Sequence, residues 1–362
     1  MNAISPKGNT LVICLSPYGG GMEMDAIKLA KMLSGNVQVT LLAKSGCFID
    51  KYYQKHMVDS GVALVTVSFS MAFSLAIIRK TRQILAEKAV RNAIFFGASE
   101  LRSLYFAFVG YELNVIVRHG TTKTRPKKDW LHRLVYSCVD YHVAICQHLA
   151  DNVKFIIPFA KKTQLKVIYP SLRQPPQLIK DRLKSATVGL LHVGRVADGK
   201  GQREAIEACE VLHARSIPFQ LVLVGEMDPP YEKGFFEYLH TRPYKDSIHI
   251  IGYTDNVGKY FQQADIFIFP SKGEGLSNSF IEALSYGLIC IAYDNTSFPE
   301  LQQLGFSFYL AQDKNIDDLK KVLLKAVEQR TIISIPLLDQ AKHALSFFGA
   351  EREKNEYLDL LQ

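Results

Sequence analysis

Cysteine, tryptophan and long apolar runs are all scarce in this chain of 362 residues. The six cysteines are scattered without a Cys-x-x-Cys pair, which predicts a reduced, cytoplasmic protein without a structural zinc site. No apolar run approaches the roughly 18 residues that a membrane-spanning helix needs, and no signal peptide is expected in the polar opening segment. The composition is otherwise that of an ordinary globular protein, which argues against extended disorder.

Two common binding patterns are also missing. The Gly19-Gly20-Gly21 turn lacks the Gly-x-Gly-x-x-Gly spacing, which disfavours an NAD site. No Asp-x-Asp follows a predicted strand, and no His or Cys cluster has metal-ligand spacing. We therefore expect no cofactor and an activity that is independent of a metal ion.

Positive charge is in excess, with a formal net charge of +8 and a pI of about 9.0. This balance favours an anionic partner, which can be a nucleic acid, a membrane surface or a phosphorylated substrate. No nucleic-acid recognition motif is present, so specific nucleic-acid binding is not expected. A dense basic stretch surrounds Trp130, the only tryptophan, and is typical either of a solvated helix or of a surface for an anionic acceptor. Its positive residues are Lys123, Arg125, Lys127, Lys128 and Arg133.

Short β-branched apolar runs alternate with longer segments of helical periodicity along the chain. Continuous apolar strands between helices are typical of parallel sheets that are covered on both faces. The pattern breaks from Ser171 to Ala186, which we interpret as a linker. The predicted strands are Leu11–Ser16, Val37–Ala43, Ala63–Phe69, Ala93–Phe96, Asn114–Arg118, Tyr141–Cys146 and Leu165–Tyr169 in the first half, and Val188–Val193, Phe219–Val224, Ile248–Ile251, Asp265–Phe269, Ile289–Tyr293 and Phe306–Leu310 in the second.

This organisation predicts two consecutive Rossmann-like α/β domains. The first is expected over residues 1–174 and the second over residues 185–344, with the final helix, 345–362, packing back onto the first domain. Two helices are predicted after Pro336. In doubly wound sheets ligands bind beyond the carboxyl ends of the strands, so functional residues are expected immediately after strands.

The first strand of the second half runs into a loop rich in glycine, Gly194 to Gly201, that carries Arg195 and Lys200. Glycines allow a phosphate to approach the backbone closely, and the amino terminus of the following helix favours an anion. A diphosphate fits such a loop. Two solvated charges on a turn remain the alternative.

The fourth strand of that half leads into a second candidate segment, in which Glu274 lies in a loop flanked by glycines and Glu282 lies within the following helix. Asn278 is predicted as the N-cap and Gly287 as the end of this helix, so that Asn278 and Glu282 share one face. Carboxylates at both ends can bind sugar hydroxyls, and the backbone amides between them can meet a diphosphate. An exposed acid and an ordinary helix glutamate are the alternative. The intervening residues are Gly275, Leu276 and Ser277.

Together these motifs resemble the retaining glycosyltransferases of family 4. The resemblance rests on Gly194-Arg195 with Lys200-Gly201, on Pro270-Ser271, and on Glu274-Gly275 with Glu282. It covers residues 187–300 strongly and the first half more weakly. It implies the GT-B fold, in which two Rossmann-like domains face a central cleft.

The resemblance also implies roles in the second domain. Arg195 and Lys200 would neutralise the diphosphate of a nucleotide-sugar donor, including the charge that develops as it leaves. Glu274 would bind the transferred sugar and Glu282 the ribose. Gly252 and Tyr253 fall where the family's base pocket lies.

In the first domain the resemblance implies an acceptor site. Gly20 and Gly21 would approach the donor phosphates and the acceptor, and His119 would contact the transferred sugar or support the reacting centre. Two departures from the family, Tyr169-Pro170-Ser171-Leu172 and Ile145-Cys146-Gln147, affect acceptor details rather than donor binding.

The function implied is a retaining hexosyltransferase that uses a nucleotide-sugar donor and a glycan or glycolipid acceptor. Bacterial cell-surface polysaccharide or lipopolysaccharide biosynthesis is the expected setting, with peripheral contact to an anionic membrane at the inner face of the plasma membrane. The alternatives are a nucleotide-sugar-binding module without catalysis, a nucleotide-sugar epimerase on the same fold, and a nonspecific nucleic-acid binder.

Overall fold

The computed structural model describes residues 8–97, 99–172, 185–330 and 334–362. The chain divides into two compact units. Unit 1 comprises Met1–Ser171 together with Ala350–Gln362, and unit 2 comprises Leu172–Gly349. Most of the segment that the sequence analysis interprets as a linker lies outside the described residues.

Unit 1 is built on a sheet of seven parallel strands in the order β3-β2-β1-β4-β5-β6-β7. Parallel neighbours require a crossover connection, and helices supply it here. The strands are β1 Asn9–Cys14, β2 Val39–Lys44, β3 Val62–Val67, β4 Val90–Phe96, β5 Asn114–His119, β6 Tyr141–Ala144 and β7 Gln164–Val167, and the helices are α1 Gly21–Ser34, α2 Phe48–His56, α3 Leu75–Lys88, α4 Leu101–Phe108, α5 Trp130–Tyr136 and α6 Gln147–Ile156.

Both faces of this sheet are covered because successive side chains of each strand point to opposite sides. Leu11 and Ile13 of β1 join a core cluster with α3, α4 and α5. Val12 and Cys14, their neighbours, join a second cluster with α1 and α2. The continuous apolar strands of the sequence therefore correspond to a sheet buried on two sides.

Unit 2 repeats the same topology with six parallel strands in the order β10-β9-β8-β11-β12-β13. In each unit the strand order reverses beside the first strand, which creates the crevice where doubly wound sheets bind ligands. The strands are β8 Val188–Val193, β9 Phe219–Val224, β10 Ile248–Gly252, β11 Ile266–Phe269, β12 Ile289–Tyr293 and β13 Tyr309–Ala311, and the helices are α7 Gln202–Ala208, α8 Glu210–Ala214, α9 Pro229–His240, α10 Gly258–Gln263, α11 Asn278–Ser285, α12 Phe298–Gln303, α13 Ile316–Gln329 and α14 Ser334–Phe347.

The last helix, α15 (Ala350–Leu358), returns to unit 1 and packs against α1. Tyr357 and Leu360 are buried in the cluster that contains α1 and α2. Asn114 Nδ2 donates to Leu360 O at 2.7 Å, and Asn92 Nδ2 donates to Gln362 O at 3.1 Å. Polar side chains of two central strands thus hold the end of the chain.

All thirteen predicted strands are present, with ends that agree within three residues, and two differences have a clear physical reason. The apolar run that begins at Phe306 contains a strand only over Tyr309–Ala311, because Phe306 instead stacks on Phe348 with ring centroids 5.4 Å apart. Helix α14 begins at Ser334, so Pro336 lies within its first turn rather than before it. Proline is tolerated there because first-turn amides have no partner within the helix.

The two units differ sharply in charge. Unit 1 contains 24 Lys and Arg residues against 14 Asp and Glu residues, whereas unit 2 contains 19 against 21. Unit 1 therefore carries all of the protein's excess positive charge.

Candidate functional site

The loops that follow β8 and β11 meet at the carboxyl edge of the unit 2 sheet. Lys272 N donates to Gly199 O at 2.9 Å, and Gln202 Nε2 donates to Arg195 O at 2.9 Å. Strands β8 and β11 are neighbours at the point where the strand order reverses. The basic loop and the acidic loop of the sequence analysis therefore form one site at the expected crevice.

Close contact between these loops depends on Gly201, the residue before α7. Its φ is +88°, a region that side chains rarely adopt. A Cβ at this position would lie 2.4 Å from Pro270 O, which is backbone and cannot move aside easily. Glycine thus allows the start of α7 to pack directly against the end of β11.

Lys200, Glu274 and Ser271 form the polar centre of the site. Lys200 Nζ donates to Glu274 Oε1 at 2.7 Å, and the two side chains are 32% and 15% exposed. The Ser271 hydroxyl lies 3.1 Å from the same carboxylate oxygen and 3.2 Å from Gly199 O, so its single proton can serve either acceptor. A charge-assisted hydrogen bond thus orients the carboxylate and the ammonium group before any ligand arrives.

A buried histidine forms a hydrogen bond to the backbone of Lys200. His192 Nε2 lies 2.9 Å from Lys200 O, and because a carbonyl only accepts, Nε2 carries the proton. Burial lowers the pKa of His192 to about 4, so the ring is neutral near pH 7. His192 was missing from the sequence prediction, although it lies inside β8 on the strand that leads into the loop.

Arg195 is exposed, and its side chain makes no hydrogen bond or ion pair within the described residues. Only its carbonyl is engaged, by Gln202. The guanidinium is therefore available to an incoming anion.

The following helix, α11, begins differently from the prediction. Ser277, not Asn278, is the N-cap: its hydroxyl accepts from Phe280 N at 3.3 Å, and Asn278 is already the first helical residue. Ser277 is in extended conformation, which is the geometry a cap requires. Gly287 has a φ of +67° just after the helix, as predicted for its end.

Buried backbone surrounds the start of α11. Gly275, Leu276 and Ser277 are buried, whereas Glu274 and Glu282 are half-buried on either side of them. The structure therefore brings Glu274 to the Lys200 cluster and places Glu282 in the second turn of α11.

The carboxyl end of β10 holds the predicted base-pocket residues. Gly252 has a φ of +75°, and its carbonyl accepts from Gly225 N at 2.9 Å. Gly225 follows β9, and a Cβ there would lie 2.1 Å from Gly194 O. Sequence reasoning missed this glycine, which packs the ends of β8, β9 and β10 together. Tyr253 is 61% exposed, and its hydroxyl donates to Asp255 Oδ1 at 2.8 Å.

In unit 1 the predicted glycine loop follows β1. Gly20 is the extended N-cap of α1, Gly21 is its first residue, and both are exposed. The steric requirement for glycine lies one residue earlier, at Gly19, where a Cβ would be 2.6 Å from the Phe48 ring.

His119, at the end of β5, is buried and paired with a second histidine. His119 Nε2 and His142 Nδ1 are 2.9 Å apart, so one shared proton links the rings. Burial and the neighbouring His142 ring lower the pKa of His119 well below its usual value. Burial lowers the pKa of His142 to about 3. Both rings are therefore neutral near pH 7.

Beside His119 lies a buried charge network that the sequence did not predict. Arg118 donates to Asp25 Oδ2 at 2.7 Å, and Lys28 Nζ lies 3.0 Å from Glu353 Oε2. Glu353 Oε2 also accepts from the Ser171 hydroxyl at 2.6 Å. These contacts join β5, α1, the end of the first chain segment and α15. Their partners are far apart in sequence, so no local pattern indicated them.

Two absences concern only the part of the chain that the structure describes. No helix there is long and apolar enough to cross a bilayer. No group of three or more His, Cys, Asp or Glu side chains there could hold a metal ion.

Solved structures with this architecture define the class of the fold. The chain matches a glycosyltransferase from Rickettsia africae with a TM-score of 0.82 and 15% identity, over 98% of each chain. It matches Anabaena HepE, solved in complex with UDP, with a TM-score of 0.79 and 13% identity, over 97% of this chain and 98% of that chain. The protein thus consists of two Rossmann-like domains of the GT-B fold, as predicted.

Sequence comparison adds a family match for the second half of the chain. Residues 179–342, somewhat less than half of the chain, match the family of glycosyl transferases group 1. The amylovoran biosynthesis glycosyltransferase AmsK of Erwinia amylovora is 26% identical over 167 residues, which are 44% of this chain and 40% of AmsK. The chain spans half or less of the length of the curated relatives it matches.

Proposed function

We propose that this protein is a retaining hexosyltransferase that uses a nucleotide-diphosphate sugar and acts without a metal ion. One observation carries the proposal: Lys200 and Glu274 are bonded to each other at the crevice of unit 2. A cation beside a carboxylate suits a ligand that joins a diphosphate to a sugar. Lys200 and the free Arg195 guanidinium face the anionic part, and Glu274 accepts hydrogen bonds from hydroxyls.

In this mechanism the acceptor hydroxyl oxygen forms the new bond to the anomeric carbon on the face from which the diphosphate departs, while the bond from that carbon to the diphosphate oxygen breaks, so that the anomeric configuration is retained. The electron pair leaves with the diphosphate, and the hydroxyl proton is carried off by the nucleoside diphosphate. Lys200 and Arg195 lower the barrier because their charges are fixed where negative charge develops. His192 holds Lys200 in place through its carbonyl.

Substrate contacts are assigned along the same edge. Glu282 binds the ribose, the amides of Gly275, Leu276 and Ser277 meet the diphosphate, and Gly252 with Tyr253 bounds the base. In the predicted first domain, residues 1–174, Gly20 and Gly21 approach the donor phosphates and the acceptor. The catalytic role of His119 stays a prediction, and its neutral ring can still donate or accept one hydrogen bond.

The acceptor we propose is a glycan or glycolipid of bacterial cell-surface polysaccharide or lipopolysaccharide assembly. Support comes from the polysaccharide-biosynthesis name of AmsK and from the excess positive charge of unit 1. A cytoplasmic location at the inner face of the plasma membrane fits that role.

Donor binding tests the proposal directly. A panel of UDP-, GDP- and TDP-sugars is titrated calorimetrically into the wild type and into Glu274→Gln, which keeps the side-chain size but removes its charge. We expect one donor to bind the wild type and to bind Glu274→Gln more weakly, and the nucleoside diphosphate alone to bind both alike. Lack of binding by every donor, or equal binding of the sugar donor to both proteins, would refute it. The anomeric configuration of the product, read by NMR, tests retention.

A further inference from the structure

Unit 1 contains a second accumulation of positive charge, which the proposed donor site does not use. A cavity of about 180 Å³ opens between α4, α5 and the segment before α3. Its polar lining includes Arg102, Lys127 and His132, and its apolar lining includes Phe73 and Tyr136. It therefore combines cations with aromatic side chains.

The aromatic wall of this cavity is held in a defined position. The Ser103 hydroxyl of α4 donates to Ala72 O at 2.9 Å and accepts from Ser74 N at 2.9 Å. Phe73 lies between these two anchored residues and meets Phe106 edge to face, with ring centroids 5.8 Å apart. The wall is thus formed before any ligand binds.

The basic wall is anchored as well. Lys127 N donates to Ile156 O at 2.8 Å. The Asn152 side chain accepts from Lys123 N at 3.0 Å and donates to Lys123 O at 2.8 Å. The loop that carries both lysines is therefore fixed to α6 at two points.

These positive charges have no acidic counterpart. Among the described residues, Arg102, Lys123 and Lys127 form no ion pair. Asp129, two residues after Lys127, is engaged by His132, whose N donates to it at 3.1 Å and whose Nδ1 also contacts it. Burial, and then the charge of Lys127, lowers the pKa of Lys123 to about 8. Like charges held together in this way are stabilised by a bound anion.

Exposed apolar side chains border the cavity. Met71, Phe73 and Leu75 are 70%, 52% and 62% exposed along one short segment, and Phe106 is 43% exposed beside them. Such a patch rimmed by cations is typical of a surface that meets another molecule. A free phosphate ion makes no contact with apolar side chains of this kind, whereas a lipid does.

We propose that this face of unit 1 binds a membrane lipid through its phosphate group, with the phosphate in the cavity and the hydrocarbon chain against Met71, Phe73, Leu75 and Phe106. The charge of unit 1 complements an anionic bilayer. The inference rests on the proposed function only for the role of this lipid site, which is to hold the protein where a lipid-borne acceptor lies. Lipid binding itself requires no donor.

Vesicle flotation with the full chain tests this site. We expect the wild type to float with phosphatidylcholine vesicles that contain phosphatidic acid and not with phosphatidylcholine alone. The double variant Arg102→Gln/Lys127→Gln should bind about 30-fold more weakly, since each cation near an anionic bilayer contributes about 1 kcal/mol.

The matched control is Lys31→Gln/Lys51→Gln. It removes the same charge from exposed positions on α1 and α2, which pack on the opposite face of the sheet. This control should bind as the wild type does. Equal weakening of both double variants would reveal diffuse attraction and overturn the proposal, as would the absence of binding by the wild type.

Two further arms separate the remaining explanations. If inorganic pyrophosphate binds the wild type as tightly as the vesicles do, the cavity is a site for a soluble phosphate. That result would overturn the lipid assignment. Phe73→Ser/Phe106→Ser should weaken vesicle binding, and unchanged binding would also contradict it. Donor titration of each variant confirms that unit 2 is intact. Lipid binding without any donor binding would refute only the proposed function, and the reverse would refute only this inference.

Discussion

The two units share one topology and differ in how they use charge. In unit 2 two lysines at the carboxyl edge are paired with acids of the facing segment, Lys200 with Glu274 at 2.7 Å and Lys272 with Glu204 at 3.0 Å. In unit 1 the cations Arg102 and Lys127 line a cavity without a paired acid among the described residues. The shared fold therefore does not determine what each unit binds, and the loops after the strands do.

Exposure of apolar side chains follows the same division. Among the described residues, eleven of the thirteen exposed large hydrophobic side chains lie in unit 1, and only Ile251 and Tyr253 lie in unit 2. A surface both basic and apolar favours an amphiphilic partner, whereas a polar crevice of paired charges favours a small polar ligand. Four experiments test this contrast.

Removal of Arg118 should produce the largest difference in stability between the two units. Arg118→Met leaves the Asp25 carboxylate buried without its guanidinium, and loss of one partner from a buried pair costs about 3–5 kcal/mol. We expect amides of unit 1 to lose protection in native-state hydrogen exchange while those of unit 2 keep theirs. Arg118→Met/Asp25→Leu removes both charges and should recover much of the loss. Equal loss of protection in both units would contradict independent cores.

Removal of Lys200, which lies in unit 2, should slow catalysis. Lys200→Ala should lower kcat by about one hundred- to one thousandfold, the usual cost of losing one group that stabilises a transition state. Lys272→Ala is the matched control, because it removes an exposed lysine of the facing loop. Steady-state kinetics with the donor found by titration provides the measurement. Equal kcat for the two variants would show that Lys200 has no special role.

Substitution of Gly201 tests the packing of the unit 2 loops. Gly201→Ala forces a side chain into a positive φ and against Pro270 O, and should lower the free energy of unfolding by about 1–3 kcal/mol. Gly273→Ala provides the control in the facing loop, since a Cβ there meets nothing within 4 Å. Urea denaturation, monitored by hydrogen exchange of unit 2 peptides, measures the free energy of unfolding of both variants. The contact would be unimportant if the two variants unfolded alike.

Acid should destabilise unit 1 more steeply than unit 2. Burial lowers the pKa of His119 and His142 in unit 1 and of His192 in unit 2 below the unfolded value of about 6.5. A neutral buried ring cannot take up the proton that the unfolded chain accepts. Its stabilising contribution is therefore complete above about pH 6.5 and is lost as the pH falls toward the folded pKa.

Each such histidine adds a slope of about 1.4 kcal/mol per pH unit, and unit 1 has two of them against one in unit 2. His142→Gln should flatten the pH profile of unit 1 alone, and His192→Gln that of unit 2 alone. Unfolding free energies between pH 6.5 and pH 4, resolved by hydrogen exchange, provide the measurement. Parallel profiles for both units in the wild type would argue against the histidine explanation.

Most of the fold and the centre of the candidate site could be predicted from the sequence because both depend on local patterns of residues. Every predicted strand exists, and Lys200 and Glu274 lie together because the loops that carry them follow two neighbouring strands. The helix cap was assigned one residue too late because Ser277 and Asn278 are both good caps, and only backbone geometry distinguishes them. The short strand near Phe306 was overextended because burial by α14 produces the same apolar signal as burial in a sheet.

By itself, then, the order of apolar runs, glycines and charges determined that two parallel sheets form and which loops carry chemistry, because strand periodicity and helix starts are properties of neighbouring residues. Tertiary structure alone decided which charges pair. Arg118 meets Asp25 across 93 positions of sequence, and His119 meets His142 across 23. Electrostatic pairing depends on distance in space, which the chain acquires only when its sheets assemble.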